Sequence, residues 1–201
     1  MRDYRKMWDE RYSQNDLIYG KEPNQYFKEV IDKIKPGKLF MPGDGEGRNS
    51  IYAAKNNWEV TSVDYSSVAV EKAKHYAQYD NVNIELINAD LSVYEYLQDH
   101  FDAVGIIFLH LQSPQKEIIH AKIANSIKPG GAVILEVFSN NQLQHGSGGP
   151  RNKNALYTIE EIAEYYKNFD IEELDEKTIE LNESKSHSGP ATVIRLYGTK
   201  K

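Results

Sequence analysis

From residue 38 onward the chain alternates short apolar runs with segments of helical periodicity, and that alternation narrows the fold more than any other feature. Residues 38–42, 58–63, 82–87, 101–109 and 132–138 read as strands. Between them lie helical segments: 49–56, 68–79 behind an N-cap at Ser66, and a helix opened by Ser113 and Pro114 that carries Ile119, Ile123 and Ile127. The run 101–109 is almost unbroken in its apolar residues, as expected of a strand covered on both faces. Thr158 caps a further helix with Ile162, Tyr165 and Tyr166, and residues 171–181 and 191–197 close the chain as two strands. Strands alternating with helices of this length predict an α/β fold, a doubly wound and mostly parallel sheet. Its right-handed crossovers leave a ligand crevice at the carboxyl ends of the strands.

At 201 residues the chain suits one domain with its own core. It contains no cysteine, which excludes disulfides, thiolate metal sites and a cysteine nucleophile. A net charge of −6 offers no bulk attraction for a phosphate backbone, so no nucleic-acid partner is expected. No apolar run approaches the roughly 20 residues of a membrane span, and the start of the chain mixes both charge signs, unlike a signal peptide. The expectation is a cytoplasmic protein without membrane or metal partners, acting on a small molecule as a monomer or homodimer.

Pro42-Gly43-Asp44-Gly45-Glu46-Gly47-Arg48-Asn49 follows the first parallel strand and opens a helix. Glycines there let the backbone approach a ligand, and the helix N-terminus presents free N–H groups. A dinucleotide fingerprint requires Gly or Ala where Arg48 stands, and no Gly-Lys-Ser/Thr phosphate loop is present. Asp64 ends the second strand 21 residues after Gly43, where an acid that accepts from ribose hydroxyls belongs. Asp90 ends the third strand on the same edge of the sheet. Tyr4, Trp8 and Tyr12 share one face of a short N-terminal helix, an aromatic stripe suited to packing on the core.

In order and spacing, Gly43-x-Gly45-x-Gly47, Asp64, Ala89-Asp90-Leu91, Phe101-Asp102-Ala103-Val104 and Lys128-Pro129-Gly130-Gly131 resemble the class I S-adenosylmethionine-dependent methyltransferases. Tyr19-Gly20-x-Glu22-Pro23-Asn24, Gly45-Glu46-Gly47-Arg48-Asn49 and Glu183-x-x-x-His187-x-Gly189 resemble the small bacterial tellurite-resistance and thiopurine-type group within them. The resemblance implies a Rossmann-like sheet of seven strands with helices on both faces and an antiparallel C-terminal strand. It implies S-adenosyl-L-methionine as cofactor and S-adenosyl-L-homocysteine as product. Gly43, Asp44 and Gly45 would line the methionine portion, with Glu46 and Arg48 beside them. Asp64 would hold the ribose with Tyr65 near the adenine, and Asp90 and Leu91 would meet the adenine edge. Phe108 and His110 would face the methyl group. Residues 1–37 would form a helical lid carrying Trp8, Tyr12 and Tyr19, 38–137 the cofactor core, 138–157 a mobile substrate-side loop, and 158–201 the C-terminal helix and strand pair. One position departs from the family: the acid usual two residues before the first glycine is Met41, a role that Asp44 or Glu46 would have to supply.

Methyl transfer is an in-line displacement at a carbon already activated by sulfonium, so positioning alone supplies roughly 7–11 kcal/mol of the barrier. A thiolate or reduced chalcogen oxyanion needs nothing more, whereas a hydroxyl or protonated amine needs a general base. His110, at the crevice edge, is the first candidate for that base and equally for a ring that only packs; His187, returning from the tail, is the second. Glu136 within the fifth strand and Gln142 in the polar segment are candidate acceptor contacts. His75, His100 and His120 are expected on helix or loop surfaces. Two alternatives remain open: a nicotinamide-dependent oxidoreductase on the same layered sheet, and a non-catalytic S-adenosylmethionine-binding module.

Overall fold

The computed structural model describes residues 4–14, 17–184 and 186–201, so the first three residues of the expected lid lie outside the described ones. The strands are β1 (Lys38–Pro42), β2 (Glu59–Asp64), β3 (Ile84–Asn88), β4 (Phe101–Ile107), β5 (Ile127–Phe138), β6 (Phe169–Ser184) and β7 (His187–Lys200). The helices are α1 (Tyr4–Tyr12), α2 (Gln25–Ile31), α3 (Arg48–Lys55), α4 (Ser67–Tyr79), α5 (Gln115–Ser126) and α6 (Ile159–Tyr165). One sheet contains all seven of these strands in the order β3-β2-β1-β4-β5-β7-β6. The first five run parallel, and β7 pairs antiparallel with both β5 and β6. The order reverses between β1 and β4, which places the ligand crevice above their carboxyl ends.

Side-chain alternation along the central strands splits the core into two layers. Phe40, Val104, Ile106, Val133 and Leu135 pack with Ile119 and Ile123 of α5 and Ile162 of α6. Leu39, Met41, Ala103 and Ile134 pack on the other face with Phe27, Val30 and Ile31 of α2 and Ala53 of α3. Each such aliphatic or aromatic side chain stabilises the fold by roughly 1.5–3 kcal/mol on full burial. Met41 is 1 % exposed in this second layer, and its sulfur and Phe27 both lie where a Cβ on Gly105 would stand. A carboxylate in that apolar niche would be desolvated without a partner, which accounts for the departure from the family pattern.

Several boundaries differ from the sequence reading. β4 stops at Ile107 because Phe108 takes a left-handed backbone, φ 51°. β5 begins at Ile127 rather than 132: the register steps from Phe101↔Ile127 to Ala103↔Ala132, a bulge that absorbs Lys128-Pro129-Gly130-Gly131. Pro114 is the cap of α5 and not its first helical residue. The closing strands are longer than expected, since charged and apolar residues alternating on an edge strand weaken the apolar signal that bounds it. Residues 139–157 fold into two short 3-10 turns, Asn140–Gln144 and Lys153–Ala155. Their polar residues cap themselves: Ser139 Oγ accepts from Asn141 N at 2.9 Å and Asn152 Oδ1 from Asn154 N at 3.1 Å.

Candidate functional site

The loop from β1 to α3 is built on three left-handed glycines, Gly43, Gly45 and Gly47, at φ 68°, 60° and 83°. A Cβ on Gly43 would stand 2.6 Å from Leu109 Cδ1, and one on Gly45 would stand 2.5 Å from the Tyr12 hydroxyl. Gly47 backs onto α4, where a Cβ would come within 2.9 Å of Ala73 Cβ. Gly47→Ala is therefore expected to cost roughly 1–3 kcal/mol through backbone strain, read as a lower denaturation midpoint at unchanged m-value. A cost within 0.5 kcal/mol would refute the close packing of this loop on α4.

The loop's own acids hold its shape. Asp44 accepts from Ser50 N at 3.1 Å and Asn49 Nδ2 at 3.0 Å, anchoring the first turn of α3. Glu46 accepts from Ile18 N at 2.8 Å and pairs with Lys72 at 2.9 Å. Asp64, at the end of β2, takes Gly45 N at 2.8 Å on one oxygen and Ser66 N at 2.9 Å on the other. Burial pushes its carboxyl up to about 6 against those two amide donors, with Asp44 and Asp9 adding to the rise. Each oxygen retains a lone pair for a further donor. Tyr65 follows it. Asp90 binds Ser92 N at 2.8 Å as a turn former, and Leu91 is buried beside it.

Helix α1 lies across this edge of the sheet. Arg5 donates to Tyr65 O and Asn88 Oδ1, each at 3.1 Å, and its guanidinium sits 5.0 Å over the Tyr65 ring. Asp9 accepts from Ser66 Oγ at 2.6 Å, and the far end of the crevice is tied by a bond from Gln112 Nε2 to the Tyr4 hydroxyl. Trp8 stacks on Tyr12 at 5.7 Å, and Tyr12 meets the edge of Tyr19 at 6.4 Å. Arg5 and Asp9 were missed because only the apolar stripe of this helix was informative; their i, i+4 spacing on its polar face was the available signal.

The second half of the crevice is aromatic. The His187 ring contacts Tyr19 at 4.6 Å, Phe108 at 4.8 Å and Phe138 at 5.5 Å. His110 stacks on Phe138 at 5.3 Å with its Nδ1 3.1 Å from Ala155 O. Burial lowers its pKa to about 3, so Nδ1 carries the proton and donates, and among the described residues the buried Nε2 has no hydrogen-bond partner. Burial also lowers His187 against the pull of Glu183, whose carboxylate lies 3.0 Å from His187 Nδ1.

Behind these rings runs a charged network. Glu183 also accepts from Arg48 Nη2 and Asn24 Nδ2, each at 3.0 Å, while Arg48 reaches Tyr19 O at 3.0 Å. Asn24 Nδ2 continues to Glu136 at 2.7 Å, and Glu136 takes Arg195 Nε at 2.6 Å. Glu136 is thus 1 % exposed and fully engaged, and Arg48 pins α3 to β6. Gln142 is used within the chain: its amide donates to Ser147 Oγ and Gly148 O and accepts from Thr192 N, bracing the 139–157 segment on β7. His120 corrects the surface expectation, since it is 0 % exposed with Nδ1 3.0 Å from the Tyr166 hydroxyl and Nε2 3.1 Å from that of Tyr157. Two phenols satisfying both ring nitrogens make that burial tolerable. His75 and His100 raise no such conflict. Among the described residues no group of three or more His, Asp or Glu could hold a metal ion, and no helix is long and apolar enough to cross a membrane.

Residues 42–131 match a family described as a methyltransferase domain. The probable S-adenosyl-L-methionine-dependent methyltransferase TehB of Haemophilus influenzae is 24% identical over 162 residues, 78% of this chain and 55% of that protein. A ubiquinone biosynthesis O-methyltransferase of Coxiella burnetii is 31% identical over 119 residues, 58% of this chain and 50% of that protein. The chain thus spans about half the length of these curated relatives. The crystal structure of Haemophilus influenzae TehB superposes at a TM-score of 0.75 with 19% identity, covering 98% of this chain and 67% of that one. The PH0226 protein of Pyrococcus horikoshii superposes at 0.68 with 17% identity, covering 95% of this chain and 99% of that one.

Proposed function

We propose that the chain is a class I S-adenosylmethionine-dependent methyltransferase, which moves a methyl group from S-adenosyl-L-methionine to a small-molecule acceptor. The observation that carries this is Asp64: a buried carboxylate at the end of β2, hydrogen-bonded to Gly45 of the glycine loop and roofed by α1. The residues fit the cofactor. The glycine cradle leaves no space for side chains, and Asp64 keeps lone pairs for ribose hydroxyls. Asp44 and Asp64 put two buried carboxyls beside the glycine loop, while Glu46 is already paired with Lys72. When bound, S-adenosyl-L-methionine supplies an electrophilic methyl carbon.

Each residue then has a role of its own. Gly43, Gly45 and Asp44 bound the methionine portion, Asp64 orients the ribose, and Tyr65, Asp90 and Leu91 flank the adenine. Trp8, Tyr12 and Tyr19 cover the site and exclude water, while Phe108 and His110 border the acceptor. Arg48 and Glu136 act at one remove, by holding Tyr19, Asn24 and the β6–β7 hairpin in place, and Gln142 acts by bracing the loop next to them. His187 is held by Glu183 against Tyr19 and Phe108, as a wall of the acceptor end. The similarity to a ubiquinone biosynthesis O-methyltransferase supports a small acceptor by analogy.

The test is thermal. S-adenosyl-L-homocysteine at a hundred times its Kd should stabilise the protein by about 2.7 kcal/mol, and NAD(H) should leave the melting temperature unchanged. Labelled methyl should then appear in a small-molecule product. Stabilisation by NAD(H) alone would favour the oxidoreductase reading; binding of S-adenosyl-L-methionine without transfer to any acceptor would favour a non-catalytic module.

A further inference from the structure

Phe108, the first residue after β4, holds a backbone that an aromatic residue rarely adopts. Its φ of 51° lies in the left-handed region, where a Cβ crowds the following carbonyl. Such a conformation persists only where the surroundings over-determine it, and it is commonest at functional sites. Leu109 depends on that turn: its side chain lies on the glycine loop, where a Cβ on Gly43 would stand 2.6 Å from Leu109 Cδ1. The Phe108 ring meets Phe138 at 4.6 Å and His187 at 4.8 Å, and its amide donates to Glu136 O at 2.8 Å. A right-handed Phe108 would redirect the chain at Leu109 and lift that side chain from Gly43.

The restraint comes from Tyr157. Its backbone is fixed to the end of β5, with Tyr157 N donating to Phe138 O at 3.2 Å and Tyr157 O accepting from Asn140 N at 2.9 Å. Its hydroxyl crosses to Leu109 O at 3.1 Å. A carbonyl can only accept, so the one phenolic hydrogen goes to Leu109. His120 Nε2, 3.1 Å from the same hydroxyl, must then be an N–H donor. Burial lowers the His120 pKa to about 3, so the ring is neutral and its Nδ1 is bare. That nitrogen accepts from the Tyr166 hydroxyl at 3.0 Å. The donors thus run one way, from Tyr166 through His120 and Tyr157 to Leu109. His120 and Tyr157 are both 0 % exposed, so water substitutes for neither. Lys116, 4.3 Å over the Tyr157 ring, donates to Leu156 O at 2.6 Å and holds the same turn.

Resting on the methyltransferase reading above, we propose that Tyr157 and His120 are positioning residues. Their hydrogen-bond chain holds Leu109 O and with it the left-handed Phe108. That keeps Leu109 seated on the glycine loop and fixes the Phe108 ring between Phe138 and His187. Both residues act through Leu109 and not by contact with cofactor or acceptor. The strain at Phe108 is offset within the protein itself, so the wall of the site stands in place before any ligand arrives.

Melting temperatures of paired variants isolate the restraint. Phe108→Gly and Phe108→Ala lose the same ring, but only Phe108→Ala is strained at positive φ. Phe108→Gly should therefore melt roughly 2–8 °C above Phe108→Ala. In a Tyr157→Phe background the chain is free to relax, and that gap should fall to less than half. Tyr157→Phe alone should raise the calorimetric Kd of S-adenosyl-L-homocysteine roughly 3–10-fold. In wild type, ¹⁵N spectra of the imidazole should place the His120 hydrogen on Nε2 and leave Nδ1 bare. An unchanged gap or an unchanged Kd would mark a side chain that only stabilises the core, and would overturn the proposal. Equal melting of Phe108→Gly and Phe108→Ala, or a hydrogen on His120 Nδ1, would overturn it too, and neither measurement requires Tyr157→Phe to fold. The methyltransferase reading survives all of these outcomes so long as wild type binds S-adenosyl-L-homocysteine. Failure of wild type to bind it would overturn both.

Discussion

Replacing Glu183 by alanine should destabilise the protein by roughly 3–5 kcal/mol, the range for stripping one partner from a buried ion pair. Its carboxylate receives Arg48, His187 and Asn24, each at 3.0 Å. The Arg48 side chain is 9% exposed and that of Glu183 13%, so water cannot replace the lost partner. Without the carboxylate, Arg48 retains only Tyr19 O. At roughly 2–4 °C per kcal/mol for a chain of this size, the melting temperature should fall by about 6–20 °C. Burial would raise the Glu183 pKa, but His187 and Arg48 outweigh it and hold it at about 2. A folded pKa below the unfolded value of about 4.3 means that this stability is complete above pH 4.3 and is lost as pH falls towards 2. Arg48→Met with Glu183→Met removes both charges and should be less damaging than either single change. A loss below 1 kcal/mol in Glu183→Ala would refute the buried pin between α3 and β6.

In the parallel half β1, β2 and β4 were legible because their apolar runs are largely buried, and they fall within two residues of expectation. The antiparallel half was less so. On β6 the sequence alternates charged residues with Ile and Leu along a solvent-facing edge, a pattern that gives the strand type but not its ends. For the site, local spacing brought out Asp64 and the glycine loop, whose geometry follows from one strand–turn–helix unit. The meeting of Asn24, Glu136, Glu183 and Arg195 was not legible, since it depends on four segments far apart in sequence and on charges that read singly as solvated surface. His120 was misplaced for the same reason: the phenols that satisfy it lie 37 and 46 residues away.

Asp64→Ala should weaken S-adenosyl-L-homocysteine binding by about 10²–10⁴-fold at pH 8. Two ribose hydroxyls donating to a carboxylate contribute roughly 1.5–3 kcal/mol each, and about 1.4 kcal/mol is a factor of ten. The same substitution also frees Gly45 N and Ser66 N, so some of the loss comes from a loosened loop. pH separates the two contributions. Burial raises the free carboxyl to about 6, and ribose donors require the ionised form, so wild-type affinity should be level above pH 6 and fall about tenfold per unit below it. Stability of the free protein moves the opposite way. A folded pKa raised above the unfolded one disfavours the charged state, so this group's contribution to stability declines as pH rises from about 4 through 6. Asp64→Asn cannot titrate and keeps an acceptor for only one of Gly45 N and Ser66 N; its weakened affinity should be flat with pH. Calorimetry of S-adenosyl-L-homocysteine at pH 5 and pH 8 on the three proteins measures all of this. Equal affinities at pH 8 would refute the assignment of Asp64 to the ribose, because losing the ribose contacts and loosening the loop both weaken binding.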